Sequence, residues 1–239
     1  DSGMDNNFGG IVRFRASGNE EITSAGNEFR FSVVFEGTGT WKFQDQFSNK
    51  DYPVYHKRGT IRTLGNPVQI SNWHGNINEQ TLPVNQGAEL FLGEIGGNSS
   101  TVTITLNTNG RFQSNYQAGK FHALESHIIG DGGGQVISTP VQDFWKVSFT
   151  AGIHTGVFIG GNILNKLTYF GTGILEGSNT QLHEAEFKRN GFIYQNHTFD
   201  ILTITGGYGY QIQNNTTQTI SATGSINVVN GSCERLAYL

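Results

Sequence analysis

Apolar and polar positions alternate in short runs along most of this chain. From Glu28 to Phe35, Phe29, Phe31, Val33 and Phe35 share one face and Glu28, Arg30 and Ser32 the other. Such a period-two pattern predicts a half-buried strand, because successive side chains of an extended chain point to opposite sides. The same logic predicts strands at Ile11 to Arg15, at Thr101 to Leu106 and over six short segments from Phe144 to Tyr194. The longest strand-like stretch runs from Phe199 to Val229: a β-branched run from Ile201 to Thr205, a glycine break at Gly206, Gly207 and Gly209, and a return from Thr219 to Val229. Nowhere does apolar spacing of three and four residues last long enough for a helix. Gln181 to Arg189 comes closest, and Ala185 and Phe187 suit a strand equally.

Between the strands lie glycine-bearing turns, and the segment Gly37 to Gly39 reads as the bend of a hairpin into Thr40 to Phe43. Short connections favour antiparallel pairing. The expectation is therefore an all-β fold, an antiparallel barrel or sandwich with long loops and almost no helix. One β-rich domain over residues 1–239 is the simplest division; a split into 1–115 and 116–239 is the other. Gln44 to Gln86, with three of the four prolines, reads as long loops with short strands near Thr60 to Leu64 and Val68 to Ile70, and so as a partner surface.

Composition narrows the function classes. Seventeen Phe among 239 residues predict an aromatic core, with Trp41 and Trp145 inside it. Fifteen Lys and Arg, spread without a cluster, argue against nucleic acid, which requires a concentrated basic face. No apolar run approaches the roughly 20 residues of a membrane-spanning helix. The chain opens at Asp1, which reads as a processed, secreted product of extracellular location. Cys233 is the only cysteine, so it is either an interchain partner or an inert thiol. Asn98, Asn196, Asn214, Asn215 and Asn230 each begin an Asn-x-Ser/Thr triplet and are candidate glycosylation sites in polar, turn-like surroundings. The polar segment Gln213 to Gln218 is expected to project as an exposed hairpin loop.

Thr205-Gly206-Gly207-Tyr208-Gly209-Tyr210, followed by Ala222-Thr223-Gly224, resembles the TGGxGxF/Y…AxG pattern near the end of the dirigent and allene-oxide-cyclase-like β-barrels. The resemblance runs from about Gly119 onward and implies an antiparallel barrel with an apolar interior, often oligomeric and, among dirigent proteins, secreted and glycosylated. This chain carries extra residues between Gly209 and Ala222, and no acid or base residue matches a catalytic position of that family.

No catalytic constellation emerges. The seven histidines occur singly, and the carboxylates Asp143, Glu176, Glu184, Glu186 and Asp200 show no spacing that selects a pair. His183 points away from Glu184 and Glu186 on a strand, so no metal or other cofactor is expected. Two non-enzymatic readings lead: a structural or storage subunit that assembles into an oligomer and holds an apolar ligand such as a pigment, and a lectin-like carbohydrate-binding module. For the second, Trp73 in the loop Ser71-Asn72-Trp73-His74-Gly75 is the exposed stacking candidate, with Asn72 and His74 beside it as ligand-binding residues. A dirigent- or cyclase-like enzyme is the third reading.

Overall fold

The computed structural model describes residues 10–92, 102–139, 142–150, 152–158 and 161–230. Among these are strands and no helix. The first coils contain β1 (Ile11–Phe14), β2 (Asn19–Ile22), β3 (Ser32–Phe35), β4 (Thr40–Phe43), β5 (Phe47–His56), β6 (Thr60–Arg62), β7 (Val68–Gly75) and β8 (Glu89–Phe91). The middle holds β9 (Thr103–Ser114), β10 (Phe121–His122), β11 (His127–Gly130), β12 (Gln135–Ser138), β13 (Asp143–Phe149) and β14 (Ile153–Phe158). The last coils hold β15 (Ile163–Tyr169), β16 (Thr172–Glu176), β17 (Thr180–Phe187), β18 (Gly191–Ile193), β19 (His197–Thr205), β20 (Tyr210–Ile212) and β21 (Gln218–Val229).

Every pairing between these strands is parallel, and each strand pairs with one a coil before it, one a coil after it, or both. The protein is a β-solenoid of about ten turns, not the antiparallel barrel or sandwich that the short connections suggested. Those connections are corners. Between β3 and β4 the chain turns at Gly37 to Gly39 onto the next face of the same coil, and β4 then stacks on β2. A Cβ added at Gly37 would lie 2.1 Å from the Ala16 carbonyl oxygen, and one at Gly39 would lie 2.1 Å from that of Gly18. Glycine is needed there because coils touch backbone to backbone, not because a hairpin reverses.

Three ladders run along the axis. One joins β2, β4, β6, β8 and β10. A second joins the first halves of β5, β7 and β9 to β11, and continues through β13 to β21 by odd-numbered strands. The third joins β1, β3, the second halves of β5, β7 and β9, and then β12, β14, β16, β18 and β20. From Gln44 to Gly75 the chain is thus regular coil, with the long strands β5 and β7 bending at register shifts near Asn49 and Ile70 to serve two faces each, and the loop expected in this region is confined to the stretch from Asn76 to Ala88. β19 and β21, expected as arms of one antiparallel unit, pair in parallel, and the Thr205 to Tyr210 segment is a corner leading to β20. The barrel implied by the resemblance of that segment is not the fold.

One apolar cluster fills the interior from Ile22 to Tyr210. Its aromatic character is as composition implied: Phe149, Tyr169 and Phe187 stack at centroid spacings of 5.0 Å on successive coils. Trp41 is buried, as expected. An interior void bounded by Trp73, Leu92 and Phe112 measures only about 10 Å³, room for one water at most. At one edge of the interior the backbone is satisfied by buried polar side chains: Ser138 Oγ and the Gln142 backbone N–H both donate to Asn162 Oδ1, and Thr180 Oγ1 donates to the Phe158 carbonyl. No helix among the described residues is long and apolar enough to cross a membrane.

Candidate functional site

The predicted site at Trp73 is interior. Trp73 is 2% exposed, its indole N–H donates to Tyr116 Oη at 2.9 Å, and His74 is buried beside it. Tyr116 Oη also lies 2.9 Å from His56 Nδ1, and His56 Nε2 lies 3.0 Å from the Gly59 carbonyl. A carbonyl accepts only, so His56 carries its proton on Nε2, Nδ1 accepts from the Tyr116 hydroxyl, and that hydroxyl accepts from Trp73. Every member is satisfied. Burial holds His56 neutral, with its pKa pushed down to about 3, and raises that of Tyr116. This is a structural core network, and the Ser71 to Gly75 segment is strand, not loop. Asn72, half-buried on the outer side, donates to Ser71 Oγ.

The exposed tryptophan is the one expected in the core. Four consecutive coils repeat an apolar-x-x-apolar-x-apolar hexapeptide: Phe144 to Phe149, Leu164 to Tyr169, Leu182 to Phe187 and Phe199 to Ile204. The first apolar residues are in register, as are the fourth and sixth, so these positions stack inward. The second position is left at the outer corner of each coil. It is occupied in turn by Trp145, Asn165, His183 and Asp200, an axial row with successive members about 4.8 Å apart, the spacing of neighbouring strands.

This row borders a groove of about 400 Å³ lined by Phe121, Leu124, Asp143, Trp145, Asn165 and His183, among others. The groove opens because one ladder ends at β10, which has two residues and, among the described residues, no ladder to the next coil. The interior rings remain continuous across this gap, Phe121 to Phe144 at 5.0 Å, so the floor is aromatic while the wall is open. Trp145 is 42% exposed, and Leu124 and Ile163 are exposed around it. His122, at the rim, is held by Glu89 Oε1 at 2.9 Å and by stacking on Phe91.

At the other end of the row His183 Nδ1 is 2.5 Å from Asp200 Oδ2. Hydrogen bonds from His183 and Ser221 hold the Asp200 carboxyl below its ordinary pKa. A carboxylate only accepts, so His183 presents N–H at Nδ1 to it, and Nε2 is the nitrogen left for a ligand. The result is a groove with an apolar ring face at one end, an amide in the middle and an imidazole of defined orientation at the other, with the Asp143 carboxylate alongside.

Among the described residues no group of three or more His, Cys, Asp or Glu side chains could hold a metal ion. Of the candidate glycosylation positions, Asn214, Asn215 and Asn230 are exposed, while Asn196 is exposed but uses its Oδ1 to accept from the Thr217 backbone N–H. Asn214 and Asn215 sit in the turn joining β20 to β21, a corner between coils and not a hairpin. Asn98 and Cys233 lie outside the described residues. Comparison with family models, with curated proteins and with solved structures finds no match.

Proposed function

We propose that this protein is a secreted carbohydrate-binding module whose site is the groove at Trp145. The observation that carries this reading is a large aromatic face left 42% exposed in a groove beside Asp143, Asn165 and His183. A sugar ring offers a patch of C–H groups to stack on an aromatic face and hydroxyls that need acceptors and donors around it. Trp145 supplies the first; the Asp143 carboxylate and the Asn165 amide supply the second, and the His183 imidazole stands further along the groove. The lectin-like reading thus moves from Trp73 to Trp145. A glycan array tests it, using the full chain and Trp145→Ala. Binding to defined sugars that disappears in the variant supports the reading. Binding to none, or binding that the variant retains, overturns it.

The reading as an assembling structural subunit is favoured by a different observation. β21 pairs with β19 on one edge and, among the described residues, with nothing on the other, and Ile226 and Val228 are 55% and 52% exposed there. An unpaired strand edge with apolar side chains is a template for another strand. Light scattering at micromolar concentration decides it, a monomer ruling the assembly out.

A further inference from the structure

We infer that the ligand of the groove is a linear, hydroxyl-rich saccharide chain that lies parallel to the solenoid axis, crossing the strands, with Trp145 and the His183–Asp200 pair as separate subsites. This rests on the carbohydrate reading and adds the direction, the length and the far-end contact.

The direction follows from the register. Trp145, Asn165 and His183 occupy equivalent positions on three consecutive coils, fixed by the paired residues on either side of each. Trp145 and His183 are therefore two rungs, about 10 Å, apart along the axis. A single sugar ring stacked on Trp145 does not extend that far, whereas the next units of a linear chain do. A chain running along a strand instead would meet Trp145 alone of the row, because Asn165 and His183 lie on the next two coils.

The far end is built to receive a hydroxyl. Asp200 on β19 engages Nδ1 of His183 on β17, which fixes the ring and leaves Nε2 as the polar atom for a ligand hydroxyl. Asn165, between the two ends, offers one acceptor and two donors, and Asp143 on the side of the groove is a further acceptor. Lys166, the residue after Asn165, is engaged by Glu184 Oε1 at 2.6 Å. Groups that accept and groups that donate thus both line the groove, and hydroxyls, which do both, complement them. His183 and Asp200 act at different levels: His183 contacts the ligand, and Asp200 is a positioning residue that acts through it.

Calorimetry with the full chain and uncharged cello-, xylo-, manno- and chito-oligosaccharides of one to six units tests the inference. For the series that binds, affinity should rise at least about tenfold between one unit and three or four and then level off. His183→Ala should remove that gain and leave the affinity for the monosaccharide unchanged. Asp200→Asn should remove part of it, and melting curves of both variants check that they fold. A monosaccharide that binds as tightly as the tetrasaccharide, or a His183→Ala loss that is equal at all lengths, overturns the axial arrangement while leaving a sugar site at Trp145. An array positive only for branched or anionic glycans overturns the stated ligand class. An array with no positive glycan removes the carbohydrate reading itself.

Discussion

Replacing Tyr116 by Phe deletes one oxygen and strands two buried partners. Trp73 Nε1–H loses its acceptor and His56 Nδ1 its donor, both in an interior from which water is excluded. An unsatisfied buried polar group costs about 1–3 kcal/mol, so two cost about 4, and the phenyl ring recovers part of this because it has no hydroxyl to desolvate. The expected loss is about 3 kcal/mol. Tyr169→Phe is the comparison: that hydroxyl is as deeply buried, donates to the Ile174 carbonyl and accepts from the Gly156 backbone N–H, and no second aromatic ring nitrogen depends on it, so about 2 kcal/mol is expected. Urea unfolding followed by tryptophan fluorescence compares the two, provided the slope with denaturant is unchanged. A shallower slope would show that coils unfold separately, and exchange protection of the Trp73 indole proton then becomes the readout. A Tyr116→Phe loss no greater than that of Tyr169→Phe would refute the three-member network.

Acid should destabilise the fold well above the carboxylate range. His56 titrates near 3 when folded and near 6.5 when unfolded, so the unfolded chain alone takes up the proton as pH falls through 6.5; by pH 5 this removes about 2 kcal/mol, and the loss continues to about pH 3. Burial lowers the pKa values of His74, His127 and His197 too, in the same direction, so a urea midpoint that is flat from pH 7.5 to pH 5 would contradict their burial. Gly177→Ala should cost about 3 kcal/mol and Gly26→Ala only about 1, since both glycines have positive φ but a Cβ at Gly177 would lie 1.9 Å from the Phe158 carbonyl oxygen and one at Gly26 meets nothing within 4 Å. Equal melting temperatures for these two variants would show that coil-to-coil contact at that corner is not tight. Glu36, held down to about 2 by hydrogen bonds from Arg15 and Lys57 that outweigh its burial, should make Glu36→Gln destabilising by about 1 kcal/mol at low salt and by less in 1 M salt.

The strands of this protein are legible in its sequence, and their pairing is not. Alternation such as Phe31, Val33, Phe35 reports that a segment is extended and half buried, and it is the same whether the next strand returns antiparallel or lies one coil above. The distinguishing signal is longer in range: the hexapeptide at Phe144, Leu164, Leu182 and Phe199 recurs every 17 to 20 residues, one coil each, and marks a stacked repeat. Proline misleads at Gln44 to Gln86, because Pro53 falls just after a register shift, where a missing N–H is tolerated within a strand. The tryptophans exchange places for a related reason. Trp73 has polar neighbours in sequence that suggest a loop, yet alternation turns it inward; Trp145 sits in an apolar run, yet it holds the second position of the hexapeptide, which faces out. His183 and Asp200 are 17 residues apart and meet only because that is the length of one coil.

The corner row behaves as a ruler with fixed graduations. Its marks are set by the backbone repeat and not by side-chain length, so the gap between Trp145 and His183 changes only in whole steps of about 4.8 Å. Insertions at a corner, such as the stretch from Asn76 to Ala88 between β7 and β8, leave the marks where they are, because the strands on either side still stack in register. Insertion of an entire coil between Asn165 and His183 would move them one graduation further apart without disturbing the packing of either. Descendants of this chain can therefore alter what the surface measures by counting coils, with no residue in the groove replaced.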